Sequence, residues 1–299
     1  MRTRVLALVL LFSSVFANSQ SPNVVLGVLE DLHGHFYEDP SFRAVRVIFQ
    51  KNGNEWQAFQ SNCPDTSCLK TVSSKYPREV TWTIAFDGRN LGKVTGRTQD
   101  QFRFYSDLGL QDISSGGTVP TMGKRSLQFG GYRDYPVFRP LIANSQPYFK
   151  DPDVWKPSSP DQALIEILLT QFRKKFPELC RASKTDTSKL EPFPYRVQDI
   201  VVAKAYGSKT GWNVARMHIE AINCNDLEAG FDIDDPWFVV SPQHSVAYLD
   251  SGLWLVDAGD YDNDGRSELV FSIDRDNEGG YELFYDGFQK RAVFNFNYH

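Results

Sequence analysis

Short apolar or alternating runs, separated by turn-forming pairs, restrict the fold of this chain more than any other feature. Ala44–Phe49 and Glu55–Phe59 flank Lys51-Asn52-Gly53-Asn54, and Val80–Phe86 and Leu91–Gly96 flank Asp87-Gly88-Arg89-Asn90. Asn-Gly and Asp-Gly readily take the left-handed conformation that a two-residue hairpin turn requires. Asn23–Glu30, Phe102–Tyr105, Val197–Tyr206, Trp212–Ala221, Trp237–Val240, Ser245–Tyr248 and Leu253–Val256 are further runs of this kind. About fifteen short strands at such spacing predict an all-β fold: a sandwich, a barrel or a propeller. No tandem repeat is visible at the residue level.

One segment departs from this pattern. Leu164, Ile167, Leu168, Phe172 and Phe176 recur at helical spacing. Ser159-Pro160-Asp161 supplies a cap and a proline for the first turn, Arg173–Lys175 suit the C-terminal end of the helix dipole, and Pro177 ends it. A single amphipathic helix is predicted at about 160–177, lying over a sheet face. The proline-rich stretch 132–160 precedes it. It reads as a surface insertion within one domain spanning 18–299, with an internal boundary inside 132–160 as the alternative.

The densest chemistry lies at Asp260-Tyr261-Asp262-Asn263-Asp264-Gly265-Arg266-Ser267-Glu268, four carboxylates in nine residues. Like charges crowd in this way to surround a hard cation, and calcium takes six to eight oxygens. Side chains of Asp260, Asp262, Asp264 and Glu268 and the carbonyl of Arg266 are the expected ligands, with Gly265 permitting the bend. An EF-hand would need a glutamate where Phe271 stands. The nine-residue loop running into Leu269–Ile273 resembles the calcium loops of FG-GAP and VCBS repeats, over roughly Trp254–Phe296. That resemblance implies one blade of a β-propeller, with strands at 268–274, 281–286 and 291–296, and a bound Ca2+. It extends the all-β reading to a propeller-like array of antiparallel sheets, in which the strand Val24–Glu30 lies beside the C-terminal blade. This chain departs from those repeats in showing one copy of the loop and in carrying Glu268 where aspartate is commoner.

Residues 1–17 read as a signal peptide. Arg2 and Arg4 precede the apolar Val5–Phe16, and Val15-Phe16-Ala17 offers a small-residue cleavage site. Export to a periplasmic or extracellular space follows, and with it two disulfides from the four cysteines. Cys63 and Cys68 enclose the turn tetrad Pro64-Asp65-Thr66-Ser67, so Cys63–Cys68 and Cys180–Cys224 are the expected pairs. The formal net charge of −5 becomes −7 once Arg2 and Arg4 leave. That sign disfavours nucleic-acid binding, and no later run is long enough to span a membrane.

Other polar clusters carry weaker signals. His33 and His35, beside Glu30, Asp31, Glu38 and Asp39, read as an exposed turn. Asp232, Asp234 and Asp235, or Glu30 and Asp31, could pair as the carboxylates of a glycan hydrolase. His218 and His244 lack a nucleophile context. No G-x-S-x-G elbow, Walker loop or dinucleotide fingerprint is present. The function expected is therefore a monomeric, non-enzymatic calcium-binding module for a protein or glycan ligand. The alternative is a secreted hydrolase acting on glycans through paired carboxylates.

Overall fold

The computed structural model describes residues 24–31, 43–114, 140–147, 150–183, 189–224, 235–275 and 278–297. The 1–17 segment and the His33/His35 cluster lie outside them. Antiparallel strands dominate, as expected of an all-β chain. The first seven are β1 (Val25–Asp31), β2 (Arg43–Asn52), β3 (Glu55–Ala58), β4 (Glu79–Phe86), β5 (Arg89–Thr98), β6 (Leu110–Ser114) and β7 (Leu141–Asn144). They pair in the order β1-β7-β4-β5-β6-β2-β3, and β1 also pairs with β2. The extra pairing closes six strands into a barrel, and β3 extends β2 as a hairpin arm. Closure leaves no open edge around the ring.

The barrel is filled by side chains. Trp82 on β4 is fully buried and donates from Nε1 to Gln111 Oε1 at 2.8 Å. Gln111 in turn donates from Nε2 to Pro77 O at 2.9 Å and Thr98 Oγ1 at 3.0 Å. The indole needs the room left at Gly96, where a Cβ would fall 2.8 Å from Trp82 Nε1. The β4–β5 turn is the expected hairpin, with Asp87 at φ 51° and Gly88 at φ 67°.

A second set follows: β8 (Lys156–Pro157), β9 (Leu179–Ala182), β10 (Leu190–Pro192), β11 (Val201–Gly207), β12 (Asn213–His218), β13 (Ile222–Asn223), β14 (Trp237–Val240) and β15 (Val246–Tyr248). These form a five-stranded sheet β15-β14-β12-β11-β8 and a small sheet β10-β9-β13. The last sheet is an up-and-down meander of β16 (Leu253–Gly259), β17 (Glu268–Arg275), β18 (Glu278–Tyr285) and β19 (Lys290–Asn297).

The meander is the shared wall of the molecule. Strand alternation sends Val270, Tyr281, Leu283, Phe294 and Phe296 into the apolar cluster shared with the barrel strands. Leu269, Phe271, Ile273 and Phe284 point the other way, against Trp237, Val239 and Val214 of the five-stranded sheet. The far face of that sheet, through Ala215, Met217, Phe238 and Val240, packs on Leu168 and Phe172 of a helix. Barrel, meander, five-stranded sheet and helix thus stack in sequence, around three apolar cores.

Several expectations are corrected. Among the described residues the sheets hold seven, five, three and four strands, which supports the all-β reading without a set of equal blades being seen there. The strand at Val24–Glu30 pairs with β2 and β7, not with the C-terminal meander. Two helices occur among the described residues, α1 (Thr66–Ser73) and α2 (Gln162–Lys175). The tetrad Pro64–Ser67 is not simply a turn: Asp65 caps α1 by accepting from Ser67 N and Cys68 N. In α2 the cap is Asp161, which accepts from Leu164 N at 2.8 Å, so Pro160 precedes the cap instead of opening the first turn. Phe102–Tyr105 is not a strand, because Asp107 accepts from Arg103 N and Phe104 N and winds the segment into a 3-10 turn at Tyr105–Asp107.

Both expected disulfides are present, Cys63–Cys68 and Cys180–Cys224. Cys180 lies on β9 beyond the helix, so the second bond ties β9 to the end of β13. Among the described residues no helix is long and apolar enough to cross a membrane.

A candidate cation site at the barrel–meander corner

The acidic loop joins β16 to β17 where the meander meets the barrel. Asn263 at φ 61° and Gly265 at φ 89° reverse the chain. A Cβ at Gly265 would meet nothing within 4 Å, so the glycine is needed for its backbone angle and not for space. Side chains then fold inward onto backbone donors. Asp260 accepts from Asp264 N at 2.9 Å and Gly265 N at 2.8 Å, and Glu268 Oε2 accepts from Tyr261 N at 2.9 Å.

The turn brings one oxygen each from Asp260, Asp262 and Glu268 within 4.8 Å of one another. Asp260 is 4% exposed and Glu268 2%. Burial, with the neighbouring charge of Asp262 second, pushes the Glu268 carboxyl up to about 9 against the opposing Tyr261 N–H. Burial also raises Asp260, while the Gly265 and Asp264 amides work against it. Three acids are therefore held together where water cannot screen them.

Asp264 and Arg266 face elsewhere. Asp264 Oδ1 accepts from Arg266 N at 2.9 Å, and Oδ2 accepts from its guanidinium at 2.8 Å. Arg266 also donates to Asp286 Oδ1 at 2.6 Å, and these two carboxylates hold the guanidinium's pKa above its ordinary value. The pairs are exposed surface bridges that add little stability.

The barrel supplies what the loop's own sequence does not reveal. Lys51, at the end of β2, places its ammonium on Asp262 Oδ2. Asn144 of β7, fully buried, donates from Nδ2 to Tyr261 O at 2.7 Å. Asp260 N donates to Lys150 O at 2.8 Å, and Asp87 N, in the β4–β5 turn, donates to Asp257 Oδ1 at 3.2 Å. These partners lie 100 to 200 residues away, roughly, and no local motif marks them. The one available signal was the Asn-Gly turn, which fixes where β2 ends and so where Lys51 points.

Of the carboxylates that could pair for hydrolysis, Glu30 and Asp235 are engaged in separate ion pairs. Glu30 Oε1 accepts from Arg46 Nε at 2.7 Å and from Tyr281 OH at 2.8 Å, bridging barrel and meander. Asp235 is 2.6 Å from His218 Nδ1 and 3.1 Å from Arg216. Asp232 and Asp234 lie outside the described residues, as does the Asp31 side chain. His244 sits in a turn at φ 63°. Compared with known proteins, the chain matches no family model, and no curated protein or solved structure resembles it.

Proposed function

We propose that the protein is an exported, non-enzymatic, calcium-binding β module whose ion fixes the corner between barrel and meander, serving a protein or glycan partner. The observation that carries the reading is the convergence of Asp260, Asp262 and Glu268 oxygens within 4.8 Å, with Asp260 and Glu268 buried and Asp262 half-buried. The donor set fits a hard divalent cation: it is all oxygen, and zinc or copper would call for nitrogen or sulfur. Asp260, Asp262 and Glu268 would hold the ion by their side chains. Asp264, and the Arg266 carbonyl expected from the sequence, lie on the same turn.

Bound calcium would supply fixed positive charge and nothing redox-active. The chain's own residues do the rest. Asn144 anchors the loop to the barrel, and Tyr261, fully buried, fills the space behind it. The Glu268 carboxyl, held as an acid near neutral pH by its burial, would give up its proton as the ion enters. The N-terminal apolar segment and the two disulfides support export.

The test is thermal unfolding of the full chain with calcium and with chelator. Calcium at about 100 times its Kd adds about 2.7 kcal/mol, and Asp262→Ala is expected to abolish that gain. Identical melting in calcium and in chelator would end the proposal.

A further inference from the structure

Lys51 is the one basic side chain that the described contacts bring onto the three-acid cluster. Its side chain is only 14% exposed, and that of its partner Asp262 4%. The ammonium also lies 5.3 Å from the centre of the Trp56 ring and 5.8 Å from that of Tyr285. Both rings present electron-rich faces that hold a cation. Trp56 stands opposite Lys51 across the β2–β3 hairpin, and Tyr285 ends β18. Lys51 thus spans the joint between barrel and meander, its ammonium on a carboxylate and within about 6 Å of two aromatic ring centres.

We propose that Lys51 is a built-in competitor for the cation site: it neutralises Asp262 when no metal is bound and yields that carboxylate, withdrawing toward Trp56 and Tyr285, when a divalent ion enters. This rests on the calcium reading above and adds its regulation. Asp262 Oδ2 cannot serve an ammonium and a divalent ion at full strength together. The two cations also repel each other across a few ångströms of poorly screened interior. Lys51 therefore weakens calcium binding and moves it toward the range of extracellular modules, about 10⁻⁴–10⁻³ M. It also carries the state of the loop to the β2–β3 arm, because an ammonium that leaves Asp262 changes the surroundings of Trp56.

The experiment is calorimetric titration of calcium into the full chain as wild type, Lys51→Met and Lys51→Arg. Lys51→Met is expected to bind calcium at least tenfold more tightly, while Lys51→Arg, which keeps the charge, stays within a few-fold of wild type. If wild type binds and Lys51→Met binds equally or more weakly, the competitor role is overturned and the calcium reading stands. If neither binds, the calcium reading itself falls, and this inference with it. Should Lys51→Met fail to fold, tryptophan emission of the wild type decides. Calcium is expected to shift it, and Trp56→Phe to remove most of the shift. An emission unchanged by saturating calcium, or a shift retained in full by Trp56→Phe, overturns the inference.

Discussion

Trp82 in the barrel and Glu268 at the corner are both buried side chains with polar atoms, and their surroundings answer those atoms differently. Around Trp82 the partners are neutral and matched: the indole N–H meets the Gln111 carbonyl, and the Gln111 amide meets Pro77 O and Thr98 Oγ1. A buried network satisfied in this way specifies one packing and asks for nothing from solvent. Around Glu268, two more carboxylates crowd in, and the charge brought to them is the single Lys51 ammonium. Burying like charges is costly unless a cation offsets them. The polar atoms around Trp82 are matched one to one, whereas the corner gathers three carboxylates against one ammonium.

That contrast can be broken at several points. Trp82→Ala is expected to cost about 3–5 kcal/mol through the cavity it leaves. Chemical denaturation should show the same loss in calcium and in chelator, since the barrel does not depend on the ion. A calcium-dependent loss would mean that the two regions are one cooperative network.

The next largest effect concerns pH. Glu268 has a folded pKa of about 9, above the ordinary 4.5. Its contribution to stability is fully present below pH 4.5 and is lost as pH rises through 9, because the folded state holds the proton more tightly. In chelator, stability measured from pH 5 to 9 should therefore fall with rising pH, and Glu268→Gln should flatten the fall. A wild-type profile as flat as the variant's would show that the corner is already neutral. The smallest expected effect is at Asn144→Ala, which strips Tyr261 O of its buried donor at a cost of about 1–3 kcal/mol. Calcium should recover part of this loss if the ion and Asn144 hold the same loop, and none if they act separately.

Local chemistry was legible in the sequence. The turns at Asn52-Gly53 and Asp87-Gly88, the α2 periodicity and the crowding of acids at 260–268 each involve residues within a few positions of one another. The cysteine pairing followed because a four-residue spacer leaves Cys63 and Cys68 within reach. What could not be read was the partnership of distant segments. Nothing in Val25–Asp31 says that its edges meet β2 and β7, because strand pairing uses backbone groups that every residue carries. Lys51 reads as an ordinary hairpin lysine: the Asn-Gly turn sets its place at the end of β2, and tertiary packing brings it to Asp262. The eight-residue helix α1 is not legible in the sequence because it is too short for a clear period and its cap lies inside the disulfide loop. Leu269-Val270-Phe271 is apolar without alternation, the signature of a strand covered on both sides.

The position of the meander has a consequence for how the molecule is made. Of the described strands its four are the last to leave the ribosome, yet each neighbouring core is lined by them. Until they emerge, Trp237 and Val239 on one flank and the barrel's outer residues on the other have nothing to lie against. Nascent chains stalled before Leu253 would thus display two sticky surfaces at once, a hazard for aggregation.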